Sequence, residues 1–254
     1  MQIQGQAALV TGGGSGLGEA VARELARQGA KVAVLDVNAA NAERVAAEIG
    51  GKAFAADITD SASLAQALDG AQAAHGVARI VMNIAGIGTA KRVVAKDGSP
   101  APLEDFERVV RINLVGTYNV VRLTAARIAR LEPMDGGERG VMVMTASAAA
   151  YDGQVGQEAY SASKAGLVGM TLPLARDLAQ HGIRVCTIAP GLFETPLMKQ
   201  LPEAVQKSLA ASIPFPPRLG KPSEFAELAA HIVTNAHLNG ETIRLDGALR
   251  MAPR

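Results

Sequence analysis

The sequence predicts an α/β protein built as one doubly wound domain, in which helices cover both faces of a central parallel sheet. Two features of the chain lead to this prediction. Short apolar runs alternate with longer amphipathic runs, and near-continuous apolar runs are typical of strands buried on both faces. The 254 residues, 48% of them hydrophobic, suffice for one sizeable core. We therefore expect a single domain over residues 1–254.

The apolar runs define the expected order of elements. A first helix over 16–28 follows the first strand, and a second over 39–49 follows the second strand. Further helical stretches separate the remaining strands. We expect seven strands, over 7–10, 31–36, 53–56, 80–84, 141–144, 183–188 and 242–245.

Three segments interrupt this alternation. Residues 88–102 and 132–140 combine Gly, Pro and charged side chains and are expected to be loops. Residues 192–217 are rich in Pro and apolar residues and follow a strand end, where ligands of doubly wound folds bind. This third segment is a candidate substrate lid, although its apolar side chains would equally suit a subunit interface. Those side chains are Leu192, Phe193, Leu197, Met198, Leu201, Ile213 and Phe215.

Composition argues against several function classes. The net charge is +1, from 25 basic and 24 acidic residues, so nucleic acid is not an expected partner. No apolar run is long enough to span a bilayer, and the N-terminus shows no signal or transit pattern, so we expect no membrane association. Cys186 is the only cysteine, which fits a reducing compartment and a cytoplasmic protein. The four histidines show no metal-ligand spacing, so no metal is expected.

A glycine-rich turn, TGGGSGLG at 11–18, joins the first strand to the first helix. Glycines allow the backbone to approach a pyrophosphate, and the helix N-terminus supplies free N–H groups, so the context predicts dinucleotide binding on a Rossmann-like sheet. The residues expected to contact the cofactor here are Gly12, Ser15, Gly16, Leu17 and Gly18.

Asp36 ends the second strand, 20 residues after Gly16. Its carboxylate can accept hydrogen bonds from both adenosine ribose hydroxyls and would repel a 2′-phosphate, so NAD is favoured over NADP. The alternative for Asp36 is a solvated acid at a strand end. Two later strand ends offer further contacts, where Asp57 could meet the adenine amino group or simply form a turn. These candidate cofactor contacts are Asp57 and Ile58 after the third strand, and Asn83, Ile84, Ala85 and Gly86 after the fourth.

A catalytic pair is expected at the start of a later helix. Tyr160 and Lys164 are four residues apart, so they project from the same helix face. A nearby ammonium favours the phenolate, so Tyr160 could exchange a proton with an alcohol or a carbonyl substrate. Ser147, at the preceding strand end, could orient the substrate oxygen. Taken alone, the Tyr-x-x-x-Lys spacing is equally typical of an ordinary helix surface.

Together these motifs resemble the short-chain dehydrogenase/reductase family over essentially the whole chain. They are TGGGSGLG, NIAG at 83–86, Asn113 in RINLVGT, Ser147, YSASK at 160–164 and Pro190-Gly191. One departure is Ile84, where the family often has a second Asn or a Cys.

The resemblance implies a role for each matching position. Tyr160 would donate and accept the proton, and Lys164 would bind the nicotinamide ribose and lower the pKa of Tyr160. Ser147 would hold the substrate oxygen. Asn113 would bend its helix and fix a water that relays protons through Lys164; its alternative role is a locally bonded polar residue inside a helix. The nicotinamide carboxamide would meet the segment containing Pro190, Phe193 and Thr195.

Within the family, long segments such as EPMDGGERGVMVMTAS and GIRVCTIAPGLFETPL resemble the subfamily of type 2 3-hydroxyacyl-CoA dehydrogenases, also known as type 10 17β-hydroxysteroid dehydrogenases. The resemblance implies reversible oxidation of a 3-hydroxyacyl-CoA with NAD⁺, and a homotetramer. Gln154, shortly before Tyr160, could touch the thioester end of the substrate or be a polar loop residue.

The same sequence features are compatible with two other functions. A hydroxysteroid or other secondary-alcohol dehydrogenase would use the same site chemistry. A dinucleotide-binding protein with a role in assembly or sensing would not need Ser147, Tyr160 and Lys164 together, so the intact set argues against it.

Overall fold

The computed structural model describes residues 1–253, apart from the side chains of Leu197 and Lys199. Its centre is a seven-stranded parallel sheet with the order β3-β2-β1-β4-β5-β6-β7. The predicted fold class is therefore confirmed. The strands are β1 (Ala7–Thr11), β2 (Lys31–Asp36), β3 (Lys52–Ala55), β4 (Ile80–Asn83), β5 (Gly140–Thr145), β6 (Ile183–Pro190) and β7 (Thr242–Leu245).

Helices connect the strands and cover both faces of the sheet. A π-helical segment, Arg111–Gly116, joins α4 to α5 without a break. The α-helices are α1 (Gly16–Arg27), α2 (Ala39–Ile49), α3 (Ser61–His75), α4 (Leu103–Val110), α5 (Thr117–Ile128), α6 (Glu158–Ala179), α7 (Pro196–Lys199), α8 (Glu203–Ala211) and α9 (Pro222–Thr234).

Two apolar cores lie on opposite sides of the sheet, because successive strand residues point to opposite faces. Val10 and Val34 pack on the side covered by α1, α2 and α9. Leu9 and Leu35 pack on the other side, under α3, α5 and α6. The continuous apolar strands of the sequence are thus explained by burial on both faces.

The strand order changes direction between β1 and β4. β1 pairs with β2 on one edge and with β4 on the other, and all of these pairings are parallel. Connections on the two sides of this point run to opposite faces, so a crevice opens beyond the carboxyl ends of β1 and β4. Most of the predicted site residues meet in this crevice.

The irregular segments have some structure of their own. Residues 88–102 form a loop whose Val94 and Pro100 make an antiparallel bridge, and residues 132–140 hold a short 3₁₀ turn, Asp135–Gly137. The segment 192–217 contains α7 and α8. A parallel β-bridge between Phe193 and Gly220 joins the start of this segment to the residues just after its end. None of the described helices is long and apolar enough to cross a membrane.

Candidate active site

A cleft of about 730 Å³ lies along the carboxyl ends of the strands. Most of the residues predicted from the sequence line it. These are Gly12, Ser15, Gly16, Leu17, Gly18, Asp36, Asp57, Ile58, Ile84, Ala85, Gly86, Ser147, Tyr160, Lys164, Pro190, Phe193 and Thr195. Asn83, Asn113 and Gln154 lie outside its lining.

The glycine-rich turn brings the start of α1 up to the floor of the cleft. A side chain at Gly18 would place its Cβ 2.0 Å from the carbonyl oxygen of Gly12, so only glycine permits this close approach. Ser15 precedes the helix, and its side chain makes no capping hydrogen bond in the part of the chain that the structure describes. Gly16, Leu17 and Gly18 at the start of α1 line the cleft, and the unpaired N–H groups of a helix N-terminus are suited to hold an anion.

The Asp36 carboxylate is held in place by the backbone around it. Its Oδ2 accepts a hydrogen bond from the Gly14 N–H at 3.0 Å, and its Oδ1 accepts one from the Asn38 N–H at 2.9 Å. Two backbone donors occupy one lone pair on each oxygen, which leaves further acceptor capacity directed at the cleft. Asp57 also lines the cleft, and its Oδ1 accepts a bond from the Thr59 N–H at 2.8 Å, as a turn residue would.

The end of β4 is joined to the end of β1 behind the cleft. The Thr11 hydroxyl accepts hydrogen bonds from the N–H groups of Ile84 and Ala85, at 3.1 and 3.3 Å. Asn83 is buried, and its Nδ2 lies 3.4 Å from the carbonyl oxygen of Val143. Asn83 therefore supports the strand ends from behind, while Ile84 and Ala85 line the cleft.

Tyr160 and Lys164 lie one turn apart on α6, as their spacing predicts. The Lys164 Nζ lies 5.8 Å from the centre of the Tyr160 ring and donates a hydrogen bond to the Thr145 carbonyl oxygen at 2.7 Å. Ser147 follows β5, and its Oγ accepts a bond from the Ala149 N–H at 3.1 Å. That bond uses a lone pair, so the Ser147 hydroxyl hydrogen is available for a substrate oxygen or for Tyr160.

Burial shifts the pKa values of the pair in opposite directions. It raises the pKa of the Tyr160 phenol, and the hydrogen-bonding Ser147 hydroxyl opposes this rise. It lowers the pKa of Lys164 to about 8. Both shifts have the same cause, since burial disfavours a phenolate and an ammonium alike. The net shift of the Tyr160 pKa in the chain itself is therefore upward.

Asn113 connects three parts of the site without entering the cleft. It is fully buried in the π-helical segment. Its Oδ1 accepts a bond from the Ile87 N–H at 2.8 Å, and its Nδ2 donates to the Ile87 carbonyl and to the Ser163 Oγ, at 2.9 and 3.0 Å. A Cβ on Gly86 would lie 3.0 Å from this Oδ1 and 3.3 Å from the Lys164 Nζ, so the loop after β4 passes directly against both residues.

A family model described as short chain dehydrogenase matches residues 6–206, which include the glycine-rich turn, Ser147, Tyr160 and Lys164. The chain belongs to the short-chain dehydrogenase family. It is 52% identical to the 3-hydroxyacyl-CoA dehydrogenase type-2 of Drosophila melanogaster, over 99% of this chain and 100% of that protein. The resemblance stated from the motifs is thereby confirmed.

Two solved structures of this family share the fold. The crystal structure of 3-hydroxyacyl-CoA dehydrogenase type-2 from Mycobacterium avium matches with a TM-score of 0.93 and 45% identity, over 98% of both chains. The 3-ketoacyl-(acyl-carrier-protein) reductase from Brucella melitensis, complexed with NADH, matches with a TM-score of 0.87 and 35% identity, over 98% of this chain and 100% of that chain.

The cleft of this short-chain dehydrogenase fits a nicotinamide cofactor. The open start of α1 would hold the pyrophosphate, and Asp36 would face the adenosine ribose. Only one of the three N–H donors of Lys164 is used by the Thr145 carbonyl oxygen, so the other two could donate to the nicotinamide ribose. Among residues 1–253, no group of three or more His, Cys, Asp or Glu side chains is placed to hold a metal ion.

The segment after β6 forms the opposite wall. Pro190, Phe193 and Thr195 line the cleft, together with Leu192 and Met198. Phe193 packs edge-on against Phe225 of α9, with ring centres 6.3 Å apart. Of the other apolar residues predicted for the lid, Ile213 is buried, Phe215 is 79% exposed and Leu201 is 38% exposed. The Leu197 side chain lies outside the described residues.

Gln154 is placed away from the cleft lining. Its side-chain Nε2 donates a hydrogen bond to the Ala252 carbonyl oxygen at 2.9 Å, near the end of the chain. Its predicted contact with a thioester stays a prediction.

Several residues that line the cleft were not predicted from the sequence, among them Thr145, Arg108 and Ile112. Thr145 lines the cleft and its carbonyl holds Lys164, while Arg108 and Ile112 line it from α4 and the π-helical segment. The sequence offers one signal that could have predicted Arg108 and Ile112. They are four residues apart and so share a helix face, and Ile112 directly precedes the predicted site residue Asn113.

Proposed function

We propose that the protein catalyses the reversible, NAD-dependent oxidation of a 3-hydroxyacyl-CoA to a 3-oxoacyl-CoA. The observation that carries this proposal is the placement of Tyr160, Lys164 and Ser147 in the same cleft as the dinucleotide-binding turn. The substrate class is supported by the names of the full-length relatives, two of which are 3-hydroxyacyl-CoA dehydrogenases type-2.

The chain's own residues would handle the proton and orient the substrate. In the oxidation direction the carbinol carbon loses a hydride and its hydroxyl loses a proton, which the Tyr160 phenolate accepts. When bound, the nicotinamide cofactor supplies the hydride acceptor and, in its oxidised form, a positive charge. In the reduction direction the Tyr160 phenol returns the proton to the carbonyl oxygen, while the Ser147 hydroxyl donates a hydrogen bond to the same oxygen.

Lys164 would act on the proton transfer through charge and position. Its ammonium group lies on the same face of α6 as the Tyr160 ring, and a positive charge there stabilises the phenolate. Asn113 would position this pair, because it ties α6, through Ser163, to the loop beside Lys164. The proton-relaying water that the family resemblance implies for Asn113 belongs to this proposal.

Asp36 would make NAD the preferred cofactor. Its carboxylate is held at the end of β2 by two backbone donors and faces the cleft. A ribose 2′-hydroxyl can donate to it, whereas a 2′-phosphate would meet a like charge. Arg44 lies nearby, but its guanidinium is bound to Glu19 and to the Gly14 carbonyl oxygen.

The experiment that tests the proposal is the loss of NADH absorbance with acetoacetyl-CoA, run beside NADPH and a small panel of ketosteroids. We expect fast turnover of the thioester with NADH and much slower turnover with NADPH. Turnover of the ketosteroids alone would support a hydroxysteroid or other secondary-alcohol dehydrogenase using the same residues. No turnover of either class would contradict the proposed reaction.

We also propose that the protein is a cytoplasmic homotetramer. The assembly is supported by the family resemblance and by exposed apolar side chains along α4, α5 and α6, including Leu103, Tyr118 and Leu172. The location rests on the single cysteine, Cys186. Light scattering coupled to size-exclusion chromatography would test the assembly, and cell fractionation would test the location.

A further inference from the structure

The last residues of the chain return to the active-site side of the molecule. After β7 the chain continues as a tail, residues 247–253. It is anchored by Arg244, whose guanidinium pairs with Asp152 and Asp246 at 2.6 Å each and donates a hydrogen bond to the Leu249 carbonyl oxygen at 3.0 Å. The ion pairs with Asp152 and Asp246 are largely buried, so they hold the start of the tail in one position.

The tail binds the loop that leads into α6. The Ala252 carbonyl oxygen accepts a hydrogen bond from Gln154 Nε2 at 2.9 Å, and the Pro253 carbonyl oxygen accepts one from the Val155 N–H at 3.1 Å. This loop, residues 151–157, begins four residues after Ser147 and ends three residues before Tyr160. The tail therefore contacts the loop between Ser147 and Tyr160, the two residues proposed to bind the substrate oxygen.

The tail also packs against the lid. Leu249, which is 2% exposed, forms a third apolar cluster with Ile213 and Leu219, separate from the two cores of the sheet. Partly buried members of this cluster are Leu192, Met198, Ala210 and Met251. Because Leu192 and Met198 also line the cleft, the tail lies directly behind the apolar wall of the substrate site.

The contact between tail and lid is close. The Phe215 N–H donates to the Gly247 carbonyl oxygen at 3.3 Å. A Cβ on Gly247 would lie 2.6 Å from a methyl carbon of Ile213 and 3.0 Å from the Phe215 carbonyl oxygen. A displacement of the tail at this point must therefore move the lid as well.

We propose that the tail, residues 247–253, is a specificity-determining part of the substrate site. It fixes the positions of Leu192 and Met198 through Leu249 and Met251, and so sets how well the distal part of a long acyl chain is covered. The choice of acyl chains as the substrate class rests on the proposed function. The mechanical coupling of tail to lid does not depend on it.

The test compares two substrates in three variants. Leu249→Ala and a deletion of residues 251–254 weaken the coupling, and Leu68→Ala, a buried leucine of α3 on the far side of the sheet, is the control. With 3-oxodecanoyl-CoA we expect the KM of both tail variants to rise by about tenfold or more, with kcat within about threefold of wild type. With acetoacetyl-CoA and for NADH binding, changes should stay within about threefold.

A readout independent of turnover separates this proposal from the proposed function. Amide hydrogen exchange of residues 192–213 should be at least about tenfold faster in Leu249→Ala than in wild type and in Leu68→Ala. Unchanged exchange, or an equal loss of kcat/KM for the short and long thioesters, would overturn the proposal. If the wild type reduced neither thioester, the proposed function would fail, and the exchange experiment would still decide the coupling.

Discussion

At the scale of single residues, the site depends on two ionisable groups that burial affects in opposite ways. Tyr160 is held towards its protonated form and Lys164, which is 4% exposed, towards its neutral form. The protonated phenol is suited to carbonyl reduction. Alcohol oxidation requires additional positive charge beside Tyr160, which links the direction of the reaction to the charge state of the bound cofactor.

Tyr160→Phe should remove the proton transfer and leave the cleft intact. The ring keeps its packing, so NADH should bind within about threefold of the wild-type affinity, while turnover falls by about 10²–10⁴-fold. Steady-state kinetics and NADH fluorescence titration measure the two effects. Tyr118→Phe, at an exposed position of α5, is the control. Turnover like that of the wild type in Tyr160→Phe would refute the assigned role.

Lys164→Met should change how stability depends on pH. The folded-state pKa of Lys164 is about 8, below its ordinary value of 10.5, so between these values the unfolded chain binds the extra proton. The free energy of unfolding of the wild type should therefore rise with pH, by about 2 kcal/mol from pH 8 to pH 10 relative to Lys164→Met. Urea unfolding at both pH values measures this difference.

The matched control for that experiment is Lys52→Met, at an exposed lysine of β3. It should show the same pH dependence as the wild type. A Lys164→Met protein whose stability follows the wild type across this range would contradict a lowered pKa for Lys164.

Asp36→Ala should weaken the preference for NADH over NADPH. Loss of the carboxylate removes both the ribose hydrogen bonds and the repulsion of a 2′-phosphate, so the ratio of kcat/KM values should fall by about tenfold or more. Asp36→Asn removes the charge but retains an acceptor for the Gly14 or Asn38 N–H. This variant therefore distinguishes the effect of the charge from the effect of a changed turn geometry. An unchanged ratio of the kcat/KM values for NADH and NADPH in both variants would show that Asp36 does not recognise the adenosine ribose.

At the scale of elements, β6 is tied to the C-terminal end of α9 by one buried arginine. Arg184 donates hydrogen bonds to the carbonyl oxygens of Ile232, Val233, Asn235 and Leu238, and its Nε donates to Glu138. Carbonyl groups at a helix end lack intrahelical partners. Arg184 therefore caps α9 from the neighbouring strand.

Arg184→Met should destabilise the fold without altering the site chemistry. It leaves several buried carbonyls without this donor and a carboxylate without its guanidinium, so the free energy of unfolding should fall by about 3–5 kcal/mol. Chemical denaturation measures the loss, with Arg130→Met at an exposed arginine as control. If both variants had equal stability, the capping role of Arg184 would be excluded.

Elements were predictable where the apolar pattern was continuous. The strands over 31–36 and 242–245 and the helix over 39–49 match the structure, because their ends coincide with charged or turn residues. The apolar spacing of residues 111–116 resembles an ordinary helix and did not predict the π-helical segment, although the family resemblance implied that Asn113 bends its helix. The segment contains Asn113, whose side chain bonds to Ile87 and Ser163 in other parts of the chain.

At the scale of the whole molecule, the cofactor site is formed by residues that follow the strands on both sides of the point where the strand order changes direction, and by the segment after β6. Cofactor binding should therefore stabilise the entire domain rather than a single loop. At an NADH concentration 100 times its Kd, the free energy of unfolding should rise by about 2.7 kcal/mol, seen as a Tm increase of several degrees. An unaltered Tm at that concentration would contradict the proposed site.

The sequence by itself determined the fold class, the glycine-rich turn, Asp36 and the Tyr160–Lys164 pair. These features are local, since each depends on residue type and short-range spacing along one strand or helix. Only the tertiary structure decided that Asn83 and Asn113 stand behind the cleft, that Gln154 bonds to the C-terminal tail, and that Arg108, Ile112 and Thr145 line the site. Contacts between residues about a hundred positions apart depend on how the sheet and helices pack, and no periodicity in the chain encodes them.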